Sequence, residues 1–132
     1  SKLLGSGHFV SLQYQNLTSP QYYCDLGLIR LVVQTLIDNA FKYTPVGTKV
    51  QVIASDLDEG LNIEVHDQGA GLSAEEMASI FKPGFRGSKS QEKPGSGLGL
   101  YLSKTLIENQ GGTLTVQSSE GTGSSFNIWI SC

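Results

Sequence analysis

A chain of 132 residues has the size of one domain and is long enough to bury a core. Its net charge of −3 and pI near 5.2 exclude a general nucleic-acid binder, because affinity for a phosphate backbone needs a basic face. Two widely spaced cysteines, Cys24 and Cys132, exclude a disulfide scaffold, and no apolar run approaches the ~20 residues of a membrane-spanning helix.

In chain order, residues 1–7 read as a linker or cloning remnant. Val10, Leu12 and Tyr14 then alternate with polar neighbours, which predicts a strand. Asp25 is placed to cap a helix, since Leu28, Ile29, Val32, Val33, Leu36, Ile37, Ala40 and Phe41 recur at helical spacing after it. That helix should run to about Tyr43 and stop before Pro45. Segments 49–55 and 61–67 read as strands joined by the turn DLDEG. Ser73 and Glu76 form a capping box that starts a short helix through Phe81. Residues 86–96, RGSKSQEKPGS, have no apolar periodicity and predict a mobile loop inside the domain. A third helix over 97–110, with Gly111 as its C-cap, precedes strands 113–117 and 124–130 around the turn EGTG. This order predicts one domain over 8–132, a two-layer α/β sandwich with about three helices on one face of a mixed, mostly antiparallel sheet.

Three segments carry chemistry: LIDNAFKYT (Leu36 to Thr44), HDQGAGL (His66 to Leu72) and GSGLGL (Gly95 to Leu100). Asn39 falls within the apolar arc of its helix, where an amide is costly unless partnered. Its partner is either backbone or Mg²⁺, a hard ion that takes oxygen ligands and shares them with substrate phosphates. Lys42 is placed to reach a phosphate from the same surface, or to be an ordinary solvated lysine. Strand parity puts Asp67 on the inward face with Leu61, Ile63 and Val65, and Asn62, Glu64 and His66 on a wet face. An inward carboxylate needs a donor. Either it caps the turn from Gly69 to Gly71, or it accepts from the exocyclic amine of adenine, which favours ATP over GTP. GSGLGL opens the third helix, where free amides and the helix dipole suit phosphates, or it is an ordinary flexible loop. The chain has no GxxxxGK[ST], and no strand leads into GxGxxG with an acidic residue about 20 positions on.

These motifs, in identity, order and spacing, resemble the catalytic ATP-binding domain of sensor histidine kinases, within the wider superfamily of gyrase, heat-shock chaperone and mismatch-repair ATPases (the Bergerat fold). LIDNAFKYT resembles the N box, which implies Asn39 on Mg²⁺, Lys42 on a phosphate and Tyr43 beside the base or ribose. DQGAGL resembles the G1 box, implying Asp67 on the adenine amine with Gly69 and Gly71 closing around the base. IFKPGFRG resembles the F box, and GSGLGLYLSK the G2 box, implying that Gly95, Gly97, Leu98, Gly99 and Leu100 line the nucleotide. GTGSSF resembles the last glycine box, with Ser124 where Thr is common. The resemblance makes residues 86–96 an ATP lid, with Arg86 or Lys89 near the γ-phosphate.

Two departures matter. Gly84 stands where many relatives carry a second Phe, leaving Phe85 for the aromatic contact. Thr35 stands where the superfamily commonly has Glu or Asn, and a hydroxyl is a poor base for activating water. A neutral imidazole already has a lone pair, so Thr35 tilts the expectation from hydrolysis toward transfer to histidine. His8 and His66 lack the context of a phosphoacceptor, so the resemblance implies a histidine-bearing dimerisation domain elsewhere in the parent and a downstream response regulator. Phe81 and Phe85 are candidates either to pack against the histidine-bearing helix or to be ordinary core aromatics. The expected setting is cytoplasmic, with no nucleic-acid partner and no membrane contact by this domain. A serine kinase of the anti-sigma type and a binding-only ATP module remain the alternatives.

Overall fold

The computed structural model describes residues 2–3, 9–15, 25–44, 47–57, 60–84 and 98–131. The elements in order are β1 (Lys2–Leu3), β2 (Phe9–Gln15), α1 (Leu26–Tyr43), β3 (Lys49–Leu57), β4 (Gly60–His66), α2 (Ala74–Ser79), α3 (Gly99–Asn109), β5 (Thr113–Ser119) and β6 (Gly123–Ile130). One sheet of order β1-β2-β3-β4-β6-β5 contains every described strand. Only β2 and β3 pair in parallel; the other pairings are antiparallel. The predicted sandwich is therefore the one found, and β1 lies within the segment expected to be a linker.

Local chemistry explains the helix ends. The Asp25 carboxylate accepts from Leu28 N at 3.1 Å, satisfying one free amide of the first turn. At the other end Thr44 is extended (φ −120°, ψ 147°), the conformation favoured for a residue that precedes proline. Both bonds of the predicted capping box are made, Glu76 N to Ser73 Oγ at 3.1 Å and Ser73 N to Glu76 Oε1 at 3.0 Å. Helix α2 ends at Ser79, two residues before the expected Phe81, because a turn from Lys82 N to Ser79 O leads into Pro83, which cannot continue a helix. No helix among the described residues is long and apolar enough to cross a membrane.

The core lies between the helices and one sheet face. Val32, Leu36 and Ala40 of α1, and Leu100 and Ile107 of α3, are buried against Val50, Val52, Ile63, Val65, Leu114, Phe126 and Ile128. The register sets Val52, Val65, Phe126 and Val116 side by side across four strands, so alternation along each strand builds one continuous apolar face.

The opposite face departs from expectation. Alternation assigns Asn62 to water, but it is only 5% exposed, and its Oδ1 is buried without a hydrogen bond. Its cross-strand neighbours on that face are Ser55 and Trp129. The Trp129 indole lies over Gly60 and donates from Nε1 to Leu57 O at 2.7 Å. A large ring flattened across a glycine thus shields a position that strand parity leaves to solvent.

Candidate nucleotide site

Asp67 follows β4 rather than belonging to it, since the strand ends at His66. Its amide nonetheless extends the ladder to β6 by donating to Ser124 O at 2.9 Å. That bond keeps the inward parity predicted for the side chain. Carboxylate Oδ1 accepts from Gly69 N at 2.9 Å and from Ser124 N at 3.2 Å, so the turn-capping role is present and uses one oxygen. No described residue donates to Oδ2. Burial pushes the carboxyl above its ordinary value; the amides of Gly69 and Ser124 and the nearby His66 oppose that rise in part. A half-buried carboxylate with one oxygen pinned and the other open is suited to accept from a ligand N–H.

The surrounding turn is built by close backbone approach. Gly71 adopts φ +76°, and a Cβ there would strike the Ser119 carbonyl; Gly123 adopts φ +101°, and its Cβ would strike the Asp67 carbonyl. Ala70 O accepts from Gly121 N at 2.6 Å. The residues after β4 are thereby folded onto the β5–β6 hairpin, which joins Asp67, Gly69, Gly71 and Ser124 in one corner. Sequence reasoning missed Ser118, which ties this corner together. Its hydroxyl accepts from Leu72 N at 2.7 Å, donates to Gly123 O at 2.8 Å and meets Ser124 Oγ at 3.0 Å. The available signal was parity, because Leu114, Val116 and Ser118 share the inward face of β5 and a hydroxyl there needs partners.

Asn39 on α1 is half-buried, at the border of the apolar arc and not at its centre. Among the described residues no backbone group bonds its amide. Its carbonyl oxygen fits a hard cation. Lys42, three residues on, is exposed. One turn before Asn39, Thr35 donates its hydroxyl back to Leu31 O at 2.9 Å, and its methyl lies 3.2 Å from where a Cβ on Gly99 would stand. The absence of a side chain at Gly99 thus lets the start of α3 sit against α1 at Thr35. Leu98 is exposed and Leu100 buried, so only the first of these two faces outward. Arg86, Lys89, Gly95, Gly97, Phe85 and the side chain of Tyr43 lie outside the described residues, as do His8, Cys24 and Cys132.

Phe81 is half-buried and packs against the domain's own core. Its ring meets Phe126 edge-on at 6.2 Å, and Lys104 Nζ sits 5.0 Å from its centroid while donating to Leu114 O at 3.1 Å. A polar cleft of about 310 Å³ opens at this corner, lined among others by His66, Asp67, Gln117, Ser118, Ser124 and Ser125.

The chain matches the model of the histidine kinase-, DNA gyrase B-, and HSP90-like ATPase family over residues 24–132. It is 40% identical over 112 residues to the adaptive-response sensory kinase SasA of Rippkaea orientalis (strain PCC 8801 / RF-1), a match covering 84% of this chain and 29% of that relative. The solved mycobacterial sensor histidine kinase MprB superposes with a TM-score of 0.81 at 28% identity, covering 95% of this chain and 84% of that one. Full-length ShkA, solved in complex with AMPPNP, superposes with a TM-score of 0.80 at 25% identity, covering 96% of this chain and 26% of that one. The chain therefore spans about three-tenths of the length of the sensory kinase it matches. Motif order, sheet topology and these matches together make it a member of the histidine kinase-, DNA gyrase B-, and HSP90-like ATPase family.

Proposed function

We propose that this chain binds Mg-ATP and transfers its γ-phosphoryl group to a histidine on a dimerisation domain of the same parent protein, from which a response regulator is then served. The observation that carries the reading is the Asp67 corner, a pinned carboxylate whose remaining oxygen can accept from the adenine amine. AMPPNP bound to the similar ShkA is consistent with it. Guanine would set a carbonyl oxygen against that carboxylate, leaving both unpaired.

In the transfer step a histidine nitrogen uses its lone pair to form an N–P bond while the bond from the γ-phosphorus to its bridging oxygen breaks, and ADP leaves. The Asn39 carbonyl oxygen would hold Mg²⁺, with Lys42 and the cationic residues Arg86 and Lys89 on the phosphates. Amides from Gly95 to Leu100 would fix the phosphates' position. Bound Mg²⁺ would neutralise phosphate charge. Thr35 cannot activate water as a carboxylate could, and its hydroxyl already donates to Leu31 O, which favours transfer over hydrolysis.

The direct test mixes the chain with histidine-bearing dimerisation domains of sensor kinases and γ-labelled ATP. Acid-labile, base-stable label on the partner is expected. Label on serine alone, or none despite ATP binding, refutes the transfer. For the metal site, Asn39→Ala should weaken Mg-dependent ATP binding on the order of 10- to 100-fold, at least what loss of an outer partner costs a metal site. Titrations with Mg²⁺ and with a chelator should then coincide; a preserved Mg²⁺ dependence removes Asn39 from the ligand set.

A further inference from the structure

Ser118 touches no expected ligand, yet its three contacts decide what the base-recognition corner can offer. A hydroxyl has one hydrogen and two lone pairs. The Leu72 amide must donate to it, at 2.7 Å, and its own hydrogen goes to Gly123 O, at 2.8 Å. One lone pair remains for Ser124 Oγ, at 3.0 Å, so the Ser124 hydroxyl is the donor in that contact. Its hydrogen thus points at Ser118, and toward any ligand it presents lone pairs only.

The same three contacts hold the carboxylate. Leu72 ends the turn that begins at Asp67, and Gly123 precedes Ser124, whose amide with that of Gly69 pins Asp67 Oδ1. Ser118 therefore bridges the two backbone segments whose amides orient Asp67.

We infer that Ser118 is a positioning residue for base selectivity: it turns the Ser124 hydroxyl into an acceptor and locks Asp67, so that these two side chains offer a ligand acceptors and no donor. Adenine presents an amine there and is matched; guanine presents a carbonyl oxygen and is rejected. This rests on the adenine-binding reading above.

Threonine and valine have the same shape and differ in one polar group, which makes them the informative pair. ATP and GTP titrations of the whole chain, with melting temperatures recorded, compare wild type, Ser118→Thr and Ser118→Val. The wild type and Ser118→Thr should prefer ATP to a similar degree, while Ser118→Val should lose about tenfold of that preference, the worth of one well-formed polar contact. A merely structural hydroxyl would lower the melting temperature of Ser118→Val and leave the ATP-to-GTP ratio unchanged, which overturns the inference. Ser118→Ala, which creates no extra bulk, provides a second reading of the same ratio. A wild-type chain that binds both nucleotides equally instead sinks the adenine reading itself.

Discussion

Asp67→Asn should bind ATP about 10- to 100-fold more weakly than the wild type while melting at a higher temperature at neutral pH. Both effects follow from one atom. The amide keeps Oδ1 as acceptor for Gly69 and Ser124, so the turn and the link to β6 survive. Where Oδ2 stood, however, it places an NH₂ group against the donor amine of adenine. Losing a hydrogen bond to a charged acceptor costs about 1.5–3 kcal/mol, and each ~1.4 kcal/mol is tenfold in affinity. The stability effect has the opposite sign because burial is the largest influence on Asp67 and raises its pKa above 3.8. A carboxyl with a raised folded pKa favours the fold when protonated, and that contribution is lost as pH rises through the folded value. The neutral amide of the variant never carries the charge, so its advantage should grow with rising pH above 3.8 and vanish below it. Calorimetric titration with ATP and melting curves across that range check both parts. Undiminished ATP affinity, or a melting difference that grows toward acid, would contradict the assignment.

Gly71→Ala should destabilise the chain by at least about 3 kcal/mol, combining the left-handed backbone penalty with a direct collision. The new Cβ would meet the carbonyl of Ser119, a backbone atom that cannot rotate away. Relaxation is opposed because the Ser118–Leu72 and Gly121–Ala70 bonds hold the two segments together. Gly111→Ala is the matched control. Gly111 has φ +80° but nothing within 4 Å of its Cβ position, so only the backbone penalty of about 1–2 kcal/mol applies there. Urea unfolding of both variants separates strain from collision. Equal losses would mean that the turn after Asp67 yields easily, and with it the argument that Asp67 is rigidly aimed. ATP binding of Gly71→Ala should fall together with its stability, since the displaced turn carries the Gly69 amide that pins the carboxylate.

Much of the fold was legible because its signals are local. The run from Leu28 to Phe41, the Asp25 cap and the Ser73–Glu76 box each depend on residues three or four apart, and all three formed as expected. Motif spacing likewise pointed to Asp67, Gly71 and Ser124, which the sheet does gather. Boundaries moved where a local rule met a competing one: β4 stopped at His66, and α2 stopped short of Pro83. Asn62 escaped parity because its burial depends on Trp129, a cross-strand neighbour far along the chain.

By itself the sequence determined the helices and the longer strands, their order and the family, since periodicity, caps and motif identity are properties of neighbouring residues. Only the tertiary structure decided how Asp67 divides its two oxygens and which way the Ser124 hydroxyl points. Those depend on contacts between residues 57 and 46 positions apart, Asp67 with Ser124 and Leu72 with Ser118. Sheet register brings such pairs together, and a hydroxyl or carboxylate acquires its polarity from the partner it meets rather than from its place in the chain.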